Sequence, residues 1–276
     1  MRGPTKTADL VTWMGSANNT ANIIMQLSQA PVGYGVRESR VDAGNAFLHP
    51  VKRARTTTTF LAVAVMGSDD DKSFVREQLR DVHKLVHSTP GSPVPYSAND
   101  PKLQLWVAAC LYRWFVDQYE LLHGPLRADQ ADAIYQDAAS LGTTLNVRPE
   151  MWPADREAFE LYWNEQLQTI GIDEPVREHL AQIADLRFLR GHVGPLGDLV
   201  HLVLGKPYRF MTTGSLPQPF RDEMGLRWTP QDQVWFDRIR AVVSMVDRIT
   251  PPLPRLLMRA QLIEMRLRRR AGMPVF

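Results

Sequence analysis

A histidine inside an amphipathic segment is the feature of this sequence best suited to chemistry. Within 71–88, four apolar residues recur at steps of four, three and four positions, which predicts one face of a helix: Val75, Leu79, Val82 and Val86. At about 100° per residue, His83 lies about 70° from the centre of this face, whereas His87 lies about 110° away. A neutral imidazole facing an apolar cavity is sufficient to hold haem iron. The alternative is a core histidine that only forms hydrogen bonds.

Arg53 and Thr57 form a second candidate pair. They are four residues apart, so they share a face if the interval 52–66 is helical. In a haem pocket an arginine could pair with a propionate or polarise dioxygen, and a threonine hydroxyl could donate a hydrogen bond there. The alternative is an exposed helix start, KRAR at 52–55, followed by surface or capping threonines.

Several other chemistries lack their signatures in this chain. The seven histidines form no HExxH or HxH motif, and no GxSxG, GxGxxG or P-loop sequence occurs. Cys110 is the single cysteine and lies in the apolar run WVAACLYRWFV, so it is expected to be a core residue. These observations disfavour zinc-protease, hydrolase, dinucleotide and nucleotide functions by the familiar routes.

Helical patterns dominate the elements that would position these residues. The segment 56–67 is β-branched and suits a strand by propensity, but no partner strand occurs elsewhere, so a helix is expected. Asn99 or Asp100 before Pro101 marks the start of a helix to about residue 122 that is apolar on nearly every face and should lie at the centre. The fold class is therefore all-α. Predicted helices cover 20–30 (stopped by Pro31), 52–66, 71–88, 101–122, 127–141, 153–171, a segment from Asp173, 230–250 and a C-terminal helix.

Composition and charge suit a folded protein with no evident affinity for nucleic acid. Of 276 residues, 44% are hydrophobic and 22% charged, and 32 basic against 30 acidic side chains leave a net charge of +2. The N-terminus lacks the apolar stretch of a signal peptide, and the longest apolar run (103–116) is too short and too interrupted to span a bilayer, so a cytoplasmic protein is expected. The basic segment 255–270 suits either a solvated helix face or peripheral contact with an anionic membrane or an acidic partner.

Five segments in order resemble the MpaB-type oxygenases, the family that includes the rubber oxygenases known as latex-clearing proteins. The likeness covers about residues 20–260. The segments are IIMQLSQAPVGYGVRESR (23–40), HPVKRARTTTTFLAVAVMG (49–67), VREQLRDVHKLVH (75–87), PYSANDPKLQLWVAACLY (95–112) and TGSLPQPFRDEMGLRWT (213–229).

The resemblance implies a single-domain, all-α helical bundle that encloses a b-type haem and uses dioxygen to cleave carbon–carbon double bonds in isoprenoid chains. By position, the family's haem-iron ligand falls on His83, and its pocket arginine and threonine fall on Arg53 and Thr57, the expected catalytic and cofactor-binding residues. The implied organisation is an N-terminal arm (1–19), the haem domain (20–260) and a basic C-terminal tail (261–276). The expected partners are dioxygen or peroxide and a small apolar substrate.

Two positions depart from the family's pattern. Rubber oxygenases carry a lysine just before the pocket threonine, where this chain has Thr56, and many short relatives read WVHA where this chain has Ala108 in WVAA. An isoprenoid substrate therefore does not follow from the motifs alone. Two other interpretations stay open: a haem protein that binds or senses oxygen without turnover, and a haem-free helical module that binds lipid or a partner. In the oxygenase interpretation, the aromatics of the predicted helix 101–122 would wall the substrate cavity: Trp106, Trp114, Phe115 and Tyr119.

Overall fold

The structure, a computed structural model, describes residues 3–39, 41, 47, 49–250 and 252–276. The described residues contain helices and no strand, which confirms the all-α prediction. Short 3₁₀ helices lie at Thr7–Leu10, Pro149–Met151 and Arg187–Leu189. The α-helices are α1 (Trp13–Ala17), α2 (Asn19–Leu27), α3 (Ala30–Arg37), α4 (Pro50–Met66), α5 (Asp69–His83), α6 (Pro101–His123), α7 (Ala128–Thr143), α8 (Arg156–Leu167), α9 (Glu174–Ala184), α10 (Arg190–Val193), α11 (Pro195–Ser215), α12 (Gln218–Glu223), α13 (Pro230–Ile249) and α14 (Pro252–Arg270).

Helix α6 lies at the centre of the fold, as its apolar composition predicts. The Asp100 side chain accepts a hydrogen bond from the Lys102 backbone N–H at 2.8 Å, with Pro101 in the first turn. The helix ends at Gly124, whose φ of 85° favours glycine. α1, α2, α7 and α13 all pack against α6. It therefore contacts helices from the N-terminal, middle and C-terminal parts of the chain.

The aromatic side chains of α6 fill the core. Trp106 is fully buried, and its ring stacks on that of Trp163 with 5.2 Å between centroids. Its indole N–H donates to the Gln26 carbonyl at 3.0 Å. Trp114 and Phe115 are also buried in packed surroundings. The two described clefts are lined by other residues, so a substrate cavity walled by these aromatics stays a prediction.

Helix α4 forms where local propensity favours a strand. Pro50 opens it, and one side of the helix is buried from Thr56 to Ala64 against α5, α7 and α14. No strand in the described chain is available to pair with this segment, so burial of one helical face decides its conformation. The predicted shared face of Arg53 and Thr57 is therefore confirmed.

The predicted helix 71–88 ends five residues early, at His83. Beyond it the chain turns, and an isolated antiparallel bridge pairs His87 with Ser97. The Ser88 N–H donates to the Tyr96 carbonyl and the Ala98 N–H to the Val86 carbonyl, each at 2.9 Å. Through these bonds, backbone groups of residues 86–88 pair with residues 96–98 instead of with a continuing helix. The periodicity of the sequence gives no sign of such pairing. His83 is consequently the last residue of its helix.

Pro31 begins a helix instead of ending a region of helix. α2 stops at Leu27, and Pro31 lies in the first turn of α3, where its missing N–H costs no intrahelical bond. The glycines of VGYG are helical and allow close packing: a Cβ on Gly33 would lie 2.9 Å from the Leu27 carbonyl oxygen and 3.0 Å from Val176. The sequence pattern also missed α11, which contains Pro207.

A carboxyl group in α6 provides a test of the packing. Burial raises the pKa of Asp117 to about 7, Arg113 opposes the shift, and Glu120 and Glu160 add to it. Between the ordinary pKa of an aspartate and about 7, the Asp117 carboxyl keeps its proton in the folded chain and loses it in the unfolded chain. The folded state therefore loses stability as pH rises toward 7. We expect Asp117→Asn to raise the free energy of unfolding by about 2 kcal/mol at pH 8 and hardly at all at pH 4. Urea titrations at both pH values measure this, and an equal gain at both would show a packing effect instead.

Candidate functional site

Two well-anchored helices carry the three candidate residues. α5 begins with a reciprocal capping box, in which the Ser68 hydroxyl accepts from the Asp71 N–H and the Asp71 carboxylate accepts from the Ser68 N–H. The same carboxylate accepts a 2.6 Å bond from Arg266 of α14, a helix that also packs along α4. The start of α5 is thus held by three bonds, and His83 occupies its opposite end.

His83 is half-buried, and its ring is neutral at pH 7. Burial, together with the smaller effect of the nearby positive charge of Arg53, lowers the pKa of His83 to about 4. The structure therefore brings the end of α5 near enough to the start of α4 for Arg53 to affect His83. A neutral imidazole is the form that binds metal.

Arg53 is a desolvated cation without a carboxylate partner in the described residues. Its side chain keeps a small accessible surface, yet surrounding protein atoms exclude enough water that burial lowers its pKa. Neither an ion pair nor a side-chain hydrogen bond links it to the described part of the chain. A buried guanidinium is costly unless an anion neutralises it, so this position favours a carboxylate or phosphate from outside the described structure.

Thr57 differs from the threonines on either side of it. The hydroxyl of Thr56 donates to the Arg53 carbonyl at 3.0 Å, and that of Thr58 donates to the Ala54 carbonyl at 2.9 Å. Thr57 is half-buried, one helical turn after Arg53, and its hydroxyl forms no hydrogen bond with another described residue. It is therefore free to bind a ligand beside Arg53.

Gln104 is a contact of the candidate ligand that the sequence did not reveal. It is buried in α6, and its amide nitrogen lies 3.2 Å from Nδ1 of His83. The same nitrogen donates to the Ala98 carbonyl at 2.6 Å, while the amide oxygen accepts from the Asn146 N–H. These two bonds orient the amide so that nitrogen faces the imidazole. His83 Nδ1 must then accept, which leaves the ring proton on Nε2.

The tautomer of His83 is a prediction that needs no substitution in the site. We expect the cofactor-free protein at pH 7 to show a neutral His83 protonated on Nε2, because Gln104 donates to Nδ1. Long-range ¹⁵N–¹H correlation spectra report which ring nitrogen carries the proton, and loss of one signal set in His83→Gln assigns it. A proton on Nδ1 would show that Gln104 has the opposite orientation.

Other histidines are less suited to iron, with one exception. His87 is exposed, and His123 binds the buried Asp247 carboxylate at 2.9 Å. His179 of α9 was not singled out by sequence, yet burial lowers its pKa to about 4, aided by the charge of Arg37. Its ring lies 4.5 Å from that of Phe47. It is the second neutral, desolvated imidazole that any ligand test has to include.

No ready-made metal cluster surrounds the candidates in the described chain. A search of the described residues finds no group of three or more histidine, cysteine, aspartate or glutamate side chains placed to hold a metal ion. Two clefts, of about 210 and 270 Å³, are lined by described residues and exclude Arg53, Thr57 and His83. An enclosed haem pocket therefore remains a prediction. Arg40, the last residue of the first motif, lies outside the described residues, as do 42–46 and 48.

Comparison with known proteins agrees with the arrangement of these motifs. Residues 9–245 match the family described as the catalytic domain of the ER-bound oxygenase mpaB/B′ and rubber oxygenase. Two uncharacterized proteins, from Mycobacterium bovis and Mycobacterium tuberculosis, are each 52% identical over 231 residues, which cover 84% of this chain and 88% of theirs. No solved structure matches the chain. The match spans the helices that carry Arg53, Thr57 and His83, and the chain therefore belongs to the mpaB and rubber oxygenase family.

Proposed function

We propose that this protein is a haem b-dependent oxygenase or oxidase that acts with dioxygen, or with peroxide, on a small apolar molecule of the isoprenoid class. The observation that carries the proposal is the proximity of a neutral imidazole, His83, to a guanidinium, Arg53, that has no ion-pair partner among the described residues, in a chain of an oxygenase family. Family membership supports oxygen chemistry. The neutral imidazole of His83 and the guanidinium of Arg53 are the evidence for haem as the cofactor.

The donor set fits haem b. Haem has one position for a neutral imidazole and two propionate carboxylates that need cationic or hydrogen-bonding partners. His83 would supply the imidazole, and Arg53 would be the cationic partner of one propionate. The fit has one condition, since a metal-bound imidazole normally donates its other ring N–H to an acceptor. The contact between Gln104 and Nδ1 has to change before Nε2 is free to bind iron.

When bound, the haem would supply the iron centre that activates oxygen. Arg53 would hold a carboxylate of the cofactor at the start of α4, and Thr57 would direct its hydroxyl to the same side. Asn146 and Ala98 hold the Gln104 amide in place beside the imidazole. The buried wall of α6 behind Gln104 excludes water from that side of the ring, which strengthens every polar interaction there.

The proposed reaction is the cleavage of an electron-rich carbon–carbon double bond. One dioxygen and one double bond give two carbonyl groups, so the balance requires no external electron donor. An apolar substrate of the isoprenoid class provides such bonds. A cytoplasmic location stays a prediction from the sequence. None of the helices in the described ranges is long and apolar enough to cross a bilayer.

Oxygen uptake tests this function. Haem-loaded protein is mixed with a panel of isoprenoid olefins in a closed oxygen electrode, and carbonyl products are trapped with a hydrazine reagent. We expect oxygen consumption that depends on both olefin and haem, with two carbonyls formed for each dioxygen. Stoichiometric haem without any olefin-dependent uptake would indicate a carrier or sensor. A chain that binds no haem would indicate a binding module.

A further inference from the structure

The solvent-facing side of α13 is unusually apolar. Most exposed helices carry polar residues on this side, but here the surface contains few of them. Opposite it, Phe236 and Asp247 are buried against the rest of the protein. With 20 residues the helix is about 30 Å long. Its exposed apolar side chains are Val234, Trp235, Ile239, Val242, Met245, Val246 and Ile249.

Five of these residues form one straight stripe. At about 100° per residue, Trp235, Ile239, Val242, Val246 and Ile249 fall within about 40° of a common direction. Their exposure rises to 58% at Val242 and 72% at Ile249. Leu202 and neighbouring leucines of α11, the helix that packs beside α13, are exposed as well. Exposed apolar patches of this extent normally mark an interaction surface.

Arg238 lies beside the stripe, about 60° from its centre, and Arg248 lies further round the exposed side of α13. Arg238 and Arg248 are exposed, and neither forms an ion pair within the described chain. The acidic residues of α13 are bound to other groups: Asp232 accepts from the N-cap residue Thr229, Asp237 pairs with Arg240, and Asp247 binds His123. The Arg238 guanidinium lies 4.8 Å from the centre of the Trp235 ring. A partner therefore meets arginine and tryptophan beside an apolar stripe.

In contrast to Arg238 and Arg248 of α13, several arginines of helix α14 form ion pairs. Arg266 binds Asp71, Arg268 binds Glu264 and Arg269 binds Asp70, so much of the basic segment 255–270, which suits either a solvated face or membrane contact, is paired within the protein. The charge asymmetry still extends over the whole C-terminal part, because residues 195–276 contain thirteen basic and seven acidic side chains. Arg238 and Arg248 belong to the part of this charge that forms no ion pair with a described residue, together with Lys206, Arg209, Arg221, Arg227, Arg259 and Arg270.

We propose that the solvent face of α13 binds the surface of an anionic phospholipid bilayer. The apolar stripe would enter the boundary between headgroups and acyl chains, Trp235 would lie at headgroup level, and Arg238 and Arg248 would contact lipid phosphates. A second copy of this chain fits less well, since it would place the same unpaired arginines on both sides of an interface without acidic partners. This inference concerns a surface on another helix from His83 and does not require haem.

Co-sedimentation with vesicles tests the surface. One set of vesicles contains phosphatidylglycerol and phosphatidylcholine in equal amounts, and the other contains phosphatidylcholine alone. We expect the full chain to prefer the anionic vesicles, with binding weakened by 0.5 M salt. Val242→Glu with Ile249→Glu should weaken binding about tenfold or more, and Arg238→Gln with Arg248→Gln about tenfold on anionic vesicles only. Leu161→Glu, at a residue 69% exposed on α8, is the matched control and should bind like the wild type.

Each result decides the proposal. All substituted residues are exposed, so unchanged melting temperatures should accompany the losses. Quenching of tryptophan fluorescence by brominated lipid should fall in Trp235→Phe if this residue enters the headgroup region. Wild-type protein that ignores anionic vesicles, or a Val242→Glu, Ile249→Glu variant that binds normally, would overturn the proposal. A wild-type dimer that this variant converts to monomers in sedimentation equilibrium would also overturn it, by assigning the face to self-association.

Discussion

Replacing His83 with glycine is expected to abolish stoichiometric haem binding. Loss of an outer-shell partner of a metal ligand typically weakens metal binding 10- to 100-fold, so loss of the ligand should weaken haem binding by more than about a hundredfold. His83 lies at the end of α5 and keeps some exposure, so the helix should survive the substitution. Absorbance titration with haem measures the change. Added imidazole should restore part of the haem spectrum by occupying the vacated space.

Two histidines provide matched controls for this result. His87 lies four residues later and is exposed, so His87→Ala should bind haem like the wild type. His179 is the other neutral, desolvated imidazole, and His179→Ala should also retain the spectrum if the family's ligand position carries over. A spectrum lost in His179→Ala and kept in His83→Gly would assign the iron to α9.

The second large effect is expected at the opposite end of α5. Asp71 has a side chain only 5% exposed and binds both the Ser68 cap and Arg266 of α14. Its pKa is lowered to about 2: burial opposes the shift, and the bonds from Arg266 and Ser68 outweigh it. Asp71→Ala removes the capping box and leaves a guanidinium unpaired, so the free energy of unfolding should fall by about 3 kcal/mol at pH 7. Urea unfolding followed by circular dichroism measures this loss.

Asp70 is the control for Asp71 because the two differ mainly in burial. Asp70 lies in the same first turn and binds Arg269 of the same helix α14 at 2.6 Å, but its side chain is 76% exposed. An exposed ion pair of this kind contributes about 0–1 kcal/mol, so Asp70→Ala should change little. Since the folded pKa of Asp71 is depressed, its contribution is present above the unfolded pKa and is lost as pH falls toward 2. Equal losses in the two variants at pH 7 would contradict this account.

The helices that depend on local pattern were predictable, and those that depend on distant contacts were not. α6 follows from its cap, its proline and its apolar faces, all within one segment. The early end of α5 depends on backbone bonds between residues 86–88 and 96–98, which no periodicity in 71–88 indicates. α3 begins at Ala30 with Pro31 in its first turn, and its Gly33 packs closely against Val176, a contact distant in sequence. Missing α11 has a simpler cause, because Pro207 interrupts its pattern.

The site was predictable from the sequence to the same limit. Arg53 and Thr57 share a face as their spacing requires, and the structure brings Arg53 close enough to His83 to affect its pKa. Gln104 could not be found in this way, because its contacts with His83 and Asn146 join residues 21 and 42 positions apart. His179 likewise acquires its neutral state from burial against segments distant in sequence. Spacing identifies side chains on one helix, and tertiary packing decides their charge and partners.

The central claim is that this chain binds one haem b, and the haem content of the full-length protein tests it most directly. Protein expressed with added haem precursor would be purified, and its haem would be determined as the pyridine haemochrome against the protein concentration. The account predicts about one haem b per chain, together with a Soret band. Protein that remains without a Soret band, and stays so after titration with haem, would contradict the claim.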